Sequence, residues 1–558
     1  MRKDTFAISA EGNELPKWNI FVLTARNAAQ KEQFELELRR LRLIEQNFCD
    51  QIVVLEDSPV NAKIGSGGAT LNALLFLFES FGGEAFFAQN RVLLLHSGGL
   101  SQRIFHVALT GKAFMLLPDG QKMPNKMPKC RSLCFGPLLL SVHSSLGFVF
   151  VASADVLEHF PPAVSVPSFP GDVLLIAHQS LVEVAEGHGV YLLDEWHGNS
   201  NDHNGQSQKL KRVLQKPTAE EIRREKAILE CQSEGGEELV LTDSCYLLGH
   251  GLAVELARLR RKMEAVPLNE LCCYRDFLCP LGFASEEQRK AHFKAKVPEL
   301  LQWQNALWDL MHSKEAHLLD LGTQSFFHFG TPSELLSHFY GHPSIFREKF
   351  LHNRKIENIL YSKIGDKKKI SAESFLEWCD LNENCEIGKE CILSGLVYDG
   401  DSLLRIGNGI CASTFPIERK PSAGGHAADN SAVSAFVTVA FHRDDDIKRS
   451  STECPLLWFG HRLASVAQGH AQFPSLWHFP LFSAHPNPSE SLRETLDTIN
   501  RLGQNGPQKN DKIKPRSDQH LLSIEEVLQK VDAKKLREMR EKFIKMPMEE
   551  NESGKPTE

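Results

Sequence analysis

The sequence predicts an α/β protein: a mixed, mostly parallel sheet flanked by helices, followed by a parallel β-helix and C-terminal helices. Three observations carry this expectation. Apolar strands alternate with helices over the first 150 or so residues, two glycine-rich loops each follow such a strand, and beyond residue 350 apolar residues recur every six positions. Strand–loop–helix alternation implies helices on both faces of the sheet, with ligands at the carboxyl ends of the strands.

Taken in order, WNIFVLTA (18–25) reads as a buried strand from its branched and aromatic content, and Asn27–Glu45 as a helix with Phe34, Leu38 and Leu41 on one face. A strand at Gln51–Leu55 runs into the first glycine loop, Gly65-Ser66-Gly67-Gly68-Ala69-Thr70, and an Ala/Leu helix follows over Thr70–Glu79. Arg91–His96 is a third strand, leading to the second loop, Ser97-Gly98-Gly99-Leu100-Ser101-Gln102-Arg103; Phe148–Ser153 is a fourth, ending at Asp155. Pro118–Leu140 has no pattern that assigns it, and Asn199–Gly205 reads as a surface loop. An amphipathic helix is expected over Leu300–Met311, short strands at His317–Leu321 and Phe326–Phe329, and a helix start at Thr331-Pro332-Ser333-Glu334, with Thr as cap and Glu closing the box.

From about residue 350, Ile364 leads to Ile370, Ile387 to Leu393, and Cys379, Cys385 and Cys391 stand six apart, the rhythm of a β-helix whose faces take about six residues each. Pro416–Asn430 reads as a loop and Asn500–Gln519 as a linker. Ser523-Ile524-Glu525-Glu526 opens a helix, Leu536–Phe543 continues it, and the last ten residues read as disordered. The expected domains are therefore 1–345, 346–505 and 506–558.

With 558 residues, 42% of them hydrophobic and 24% charged, the composition is that of an ordinary globular chain of two to four domains. A net charge of −8 argues against a general nucleic-acid binder, which needs a basic surface. Met1–Lys17 has no apolar signal core, no apolar run is long enough to span a bilayer, and thirteen cysteines in so long a chain are no disulfide framework. The expectation is a cytoplasmic protein with reduced thiols.

Gly65, Gly67 and Gly68 could converge backbone N–H groups on an anion at a helix start, or could simply allow tight packing. The loop lacks the Gly-Lys-Ser/Thr ending of a Walker loop and the ordered glycines of a dinucleotide fold. The second loop is more specific: Gly98, Gly99 and Ser101 with Arg103 and Lys112 combine backbone donors with two cations, as a triphosphate losing pyrophosphate requires. The bland alternative is that both cations are solvated helix charges. Asp155, at a strand end, is a candidate metal carboxylate or a plain helix cap.

Lys63–Leu71, His96–Arg103 and Gly111–Phe114 closely resemble the fucose-1-phosphate guanylyltransferases, or GDP-L-fucose pyrophosphorylases, and the related fucokinase-linked pyrophosphorylases. His188–Tyr191, Leu214–Pro217, Thr242–Ser244, Tyr274–Leu278, Phe329–Thr331 and Leu521–Glu526 resemble further landmarks in family order, so the likeness covers nearly the whole chain. It implies a Rossmann-like nucleotidyltransferase domain followed by a left-handed β-helix, and formation of GDP-L-fucose and pyrophosphate from GTP and β-L-fucose 1-phosphate with Mg²⁺. Self-association through the β-helix, as in some relatives of this architecture, is an open possibility.

A sugar phosphate is already an oxyanion, so the protein must align two phosphates, offset their repulsion and stabilise the leaving pyrophosphate. The resemblance assigns Arg103 and Lys112 to the triphosphate, Asp155 to the metal and Lys216 to the sugar phosphate. His188 becomes a candidate for sugar hydroxyls and Asp276 for a second metal or sugar contact; a turn histidine, an exposed lysine and a surface acid are the corresponding structural alternatives. One departure stands out: the family carries an acid four residues before Asp276, where this chain has Cys272. That leaves two rivals in play, a pyrophosphorylase for another sugar phosphate or base, and a nucleotide-binding regulator that has lost catalysis.

Overall fold

The computed structural model describes residues 18–45, 48–60, 62–118, 147–160, 171–193, 208–229, 236–282, 289, 293, 297–351, 356–419, 433–463, 473–504 and 521–545. They form two compact units. The first takes the residues up to Leu100, Thr110–Met115 and those on to His328; the second takes Ser101–Leu109, 116–118 and those from Phe329 onward. The sequence places its first boundary at 345 instead. Met1–Lys17, residues 119–140, Asn199–Gly205 and the last ten residues lie outside the described residues.

In the first unit β1 (Trp18–Ala25) is buried at seven of its eight positions. Asn27 caps the following helix, Ala28–Leu41, by accepting from Gln30 N, and Phe34, Leu38 and Leu41 form its inner face as expected; Arg42, in the left-handed region, ends it. β2 (Cys49–Glu56) leads to the helix Gly65–Ser80, which starts within the glycine loop, five residues before the expected Thr70. β3 (Arg91–His96) and β4 (Phe148–Ser153) match their sequence assignments.

Beyond β4 come β5 (Val156–Glu158), β6 (Val173–Leu181), β7 (Gly189–Leu193), β8 (Gln208–Gln215), β9 (Leu239–Gly249), β10 (Ala316–Asp320) and β11 (Phe326–His328). Nine strands form one sheet in the order β2-β1-β3-β4-β9-β6-β10-β8-β7, while β5 pairs with β11. A further β9–β7 pairing closes the far side of the large sheet on itself. The expectation of a mostly parallel sheet is corrected here. β1–β2, β1–β3, β3–β4 and β6–β10 are parallel, but β4–β9, β6–β9, β7–β8, β7–β9 and β8–β10 are antiparallel. The parallel block is legible because the middles of β1, β2, β3 and β4 are runs of apolar residues, whereas β8, QKLKRVLQ, is interrupted by polar residues.

The helix His250–Lys262 covers the sheet with Leu252, Ala253, Leu256 and Ala257 buried, and Pro298–Met311 seals the same core with Trp303, Leu307 and Met311.

The second unit opens with Pro332–Tyr340, whose capping box between Thr331 and Glu334 is the one expected. Short parallel strands follow: β12 (Ile359–Leu360), β13 (Lys363–Ile364), β14 (Phe375–Glu377), β15 (Asp380–Leu381), β16 (Cys385–Ile387), β17 (Ile392–Ser394), β18 (Val397–Tyr398), β19 (Leu404–Ile406) and β20 (Ile410–Arg419). β12, β14, β17 and β20 form one parallel ladder, β13, β15 and β18 a second, β16 and β19 a third. Ile364, Leu381 and Tyr398 stack in one column, and Ile370, Ile387 and Ile406 in another. Cys379, Cys385 and Cys391, read as six apart, are all buried.

β21 (Val433–His442) pairs antiparallel with β20, so Pro416–Arg419, expected as loop, extend a strand; the rest of that stretch lies outside the described residues. Asn500–Gln504, expected as linker, are the last turn of a helix, Pro488–Gln504, whose Leu492, Leu496 and Ile499 are buried. The polar composition of 500–519 hid that turn. Ser523 and Glu526 form the expected capping box on Ile524–Gln529, and Ala533–Lys545 follows.

Ile392 is 1% exposed and pairs with Phe375 on one side and Cys411 on the other. Ile392→Ala should destabilise the second unit by about 2–5 kcal/mol, read as a lower urea midpoint; an unchanged midpoint would mean the column is not a packed core.

Candidate functional site

A strand edge can pair with one neighbour at a time, and β9 divides one of its edges. Leu241 and Thr242 pair with β7, Tyr246–Gly249 with β4, and Asp243–Cys245 lie between. On the other edge the β6 register slips between Leu175 and Ala177 at the same level, a β-bulge of the kind that re-aims side chains beside active sites. β4 and β7 therefore part at Asp243. Asp155, two residues past β4, and His188, just before β7, belong to the two arms of that fork. β11 adds His328 by pairing it with Val156.

Asp155 is the centre of charge. Its Oδ2 lies 3.1 Å from Lys112 Nζ and 3.7 Å from His328 Nε2, while Ser153 Oγ donates to Oδ1. Burial works to raise its pKa, but Lys112, His328 and Ser153 outweigh it and hold the carboxyl well below the usual range. The site is not sealed: the Asp155 side chain is 29% exposed and that of Lys112 15%.

On the other arm His188 Nδ1 sits 3.3 Å from Asp243 Oδ1. The His188 ring meets Phe326 edge-on at 5.5 Å and His328 at 6.0 Å. His178 stacks flat on Phe326 at 3.9 Å, its Nε2 2.8 Å from Thr242 Oγ1. Burial, and then the approach of His188, keep His178 neutral, well below the usual imidazole range. Lys216 follows β8 in the left-handed region (φ 48°), is exposed, and donates its N–H to His188 O at 3.0 Å.

The first glycine loop is filled by the protein itself. Gly67 N–H donates to Leu271 O at 2.9 Å, and a Cβ on Gly65, itself at φ 69°, would stand 2.1 Å from that carbonyl oxygen. Gly68 lies against Ile64. Of the two readings open for this loop, tight packing accounts for all three glycines. In the second loop Gly99 has open space at its Cα, and its carbonyl is held by Gln30 Nε2 at 3.2 Å. Gly98 makes only ordinary contact with Ala25 and Arg26. His96 ties the two loops together, its ring nitrogens 2.9 Å from Thr70 Oγ1 and 3.4 Å from Thr24 Oγ1; burial lowers its pKa to about 4.

Two sequence assignments meet different surroundings. Ser101 and Arg103 belong to the second unit, where Arg103 Nε lies 3.8 Å from Asp446 Oδ1, so the two cations read together have separate partners. Asp276 is 0% exposed and accepts from Arg275 Nε and Nη2, Cys272 N and Gln304 Nε2 at 2.7–3.0 Å. Both oxygens are used in holding the turn Cys273–Leu278, which corrects its reading as a sugar or metal contact. Burial raises the Cys272 thiol, which stays protonated and is no substitute for an acid.

Among the described residues no group of three or more His, Cys, Asp or Glu side chains is arranged to hold a metal ion by itself. The residues that sequence reading left without a role are Asp243, His178, Phe326 and His328. Thr242–Ser244 was visible as a landmark, but a lone Asp inside an apolar strand gives no sign of its partner.

The family model for the fucose pyrophosphorylase domain matches residues 84–492. The human fucose-1-phosphate guanylyltransferase is 24% identical to this chain, over 92% of this chain and 88% of its own length. The mouse protein of the same name is 25% identical, over 96% and 94%. A bifunctional fucokinase/GDP-fucose pyrophosphorylase from Arabidopsis thaliana is 24% identical over 68% of this chain and 36% of its own.

Because the Asp155 carboxyl is depressed in the fold, its ionised form adds stability that is fully present above the unfolded value, about 3.9, and is lost as pH falls through the folded value. Thermal melts of the wild type and Asp155→Asn should therefore differ most at neutral pH and converge toward acid. A gap that stays constant from pH 7 to pH 3 would contradict the pairing with Lys112.

Proposed function

The chain belongs to the fucose pyrophosphorylase family, and from that premise we propose that it joins GTP to β-L-fucose 1-phosphate, releasing GDP-L-fucose and pyrophosphate. The observation that carries this reading is the partly exposed Lys112–Asp155 pair beyond the carboxyl end of β4, one arm of the fork. It unites a cation and a carboxylate where a parallel block ends, the position at which such sheets bind ligands.

In this reading a phosphate oxygen of the sugar phosphate attacks the α-phosphorus of GTP, one P–O bond forms, and the bond to the bridging oxygen of the β-phosphate breaks. No side chain has to activate the nucleophile. Lys112 has three donors, one of them on Asp155, and the others serve the phosphates as charge gathers on the leaving pyrophosphate. Gly98 and Gly99 of the second loop line the triphosphate, in keeping with the open space at Gly99. Lys216, exposed at the end of β8, takes the sugar phosphate, and His188 a sugar hydroxyl.

Magnesium fits the donor set, because it is typically bound through one or two carboxylates together with substrate phosphates. Asp155 would hold it, and the bound ion would offset negative charge on the phosphates. The stacked ladders of the second unit support the reading of a parallel β-helix, left-handed as the family likeness implies and a possible surface for self-association. No helix among the described residues is long and apolar enough to cross a membrane, and no disulfide joins the described cysteines.

The test is pyrophosphate release with GTP and fucose 1-phosphate, with Mg²⁺ and again with EDTA, alongside other nucleotides and sugar phosphates. Release should need both substrates and the metal, and Lys112→Ala should lower kcat by about 10²-fold or more without unfolding the protein. Release with a different sugar phosphate would reassign the substrate. GTP binding without release would favour the silent regulator, with Cys272→Asp as the first variant to restore activity.

A further inference from the structure

We propose that Asp243 is a positioning residue that sets His188 and Lys216 as one unit toward the sugar phosphate, by holding the His188 imidazole in the tautomer protonated at Nδ1. The proposal rests on the reaction assigned above and names the part of the site that selects the sugar.

Three features of the fork argue for it. Asp243 is a nearly buried carboxylate, 6% exposed, on the stretch of β9 that lies between the residues paired with β7 and those paired with β4. A carboxylate withdrawn from water needs a hydrogen-bond donor, and His188 Nδ1, 3.3 Å from Oδ1, supplies one. An ionised carboxylate can only accept, so this contact places the proton on Nδ1 and leaves Nε2 for another partner. The ring cannot swing away freely, because Phe326 and His328 stand edge-on to it.

The second feature is Gly189. A Cβ there would lie 2.7 Å from Asp243 Oδ2, so any larger residue after His188 would push the carboxylate from the position in which it meets the imidazole. The third is the main chain of the next strand. Gly189 pairs with Gln215, and Lys216, in a left-handed conformation that costs a non-glycine residue free energy, is held by its N–H on His188 O. Moving His188 therefore moves the lysine. Asp243 touches neither substrate in this scheme; it acts through its neighbour, as the buried orienting carboxylates of histidine sites do elsewhere.

The experiment has two parts. In the wild-type protein labelled with ¹⁵N-histidine, without substrate, His188 is assigned by the signal lost in His188→Gln. Its resonances should report a single species protonated at Nδ1; an Nε2-protonated or exchanging ring overturns the proposal. Asp243→Asn and Gly189→Ala, the latter leaving both partners chemically intact, should each raise KM for fucose 1-phosphate roughly tenfold while KM for GTP stays within about twofold. Equal changes in both KM values, or none, would assign Asp243 a structural role only. If either variant fails to fold, the wild-type tautomer still decides. If the wild type releases no pyrophosphate, the reaction assigned above fails, and the tautomer measurement, which needs no substrate, judges this proposal separately.

Discussion

The first unit depends on the rule that one strand edge serves one neighbour at a time. β9 is eleven residues long and almost wholly buried, and it joins the parallel block β2-β1-β3-β4 to the mixed remainder. Its edge is used by β7 over Leu241–Thr242 and by β4 over Tyr246–Gly249. Between them the two strands diverge, and the register slip in β6 falls at the same level. A sheet interior normally satisfies its own backbone and offers no opening. Here the divergence makes one, and it lies where β4 delivers Asp155 and β7 receives His188.

The electrostatics of that opening follow from what each arm can bring. β4 ends in Ser153, with Asp155 two residues on, and Gly111 presents Lys112 to the same carboxylate; β11, by pairing with β5, adds His328. The result is a carboxylate held by Lys112, Ser153 and His328 that remains partly exposed. The other arm carries the His188–Asp243 pair, with the His178–Phe326 stack beside it. The charged Lys112–Asp155 pair lies on one side, and histidines on aromatic packing lie on the other.

Some of this was legible in the residues. β1, β3 and β4 were read to their ends because the middle of each is a run of apolar residues, and the two capping boxes were read because their signature is local. Lys112, Asp155 and His188 were singled out, and the structure places all three around the fork. What escaped has a common cause. β6 to β9 pair over long sequence separations with mixed polar and apolar faces, so no window of the sequence contains both partners. Gly65, Gly67 and Gly68 show the converse: a glycine loop beside a helix start has the look of an anion cradle, yet Leu271, two hundred residues away, fills it. Asp276 was likewise read as a surface acid or a ligand, because nothing local tells of Gln304.

By itself the sequence determined what short-range chemistry can decide: the α/β alternation, the six-residue rhythm that places Cys379, Cys385 and Cys391 in a buried interior, the helix starts, and the motifs that mark the family. These follow from backbone periodicity and from caps that act within a few residues. The tertiary structure alone decided the strand order, the mixture of parallel and antiparallel pairs, the separate partners of Arg103 and Lys112, and the meeting of Asp243 with His188. Those depend on which distant edges find one another, and only chain folding brings a carboxylate in β9 within hydrogen-bonding reach of a histidine 55 residues earlier.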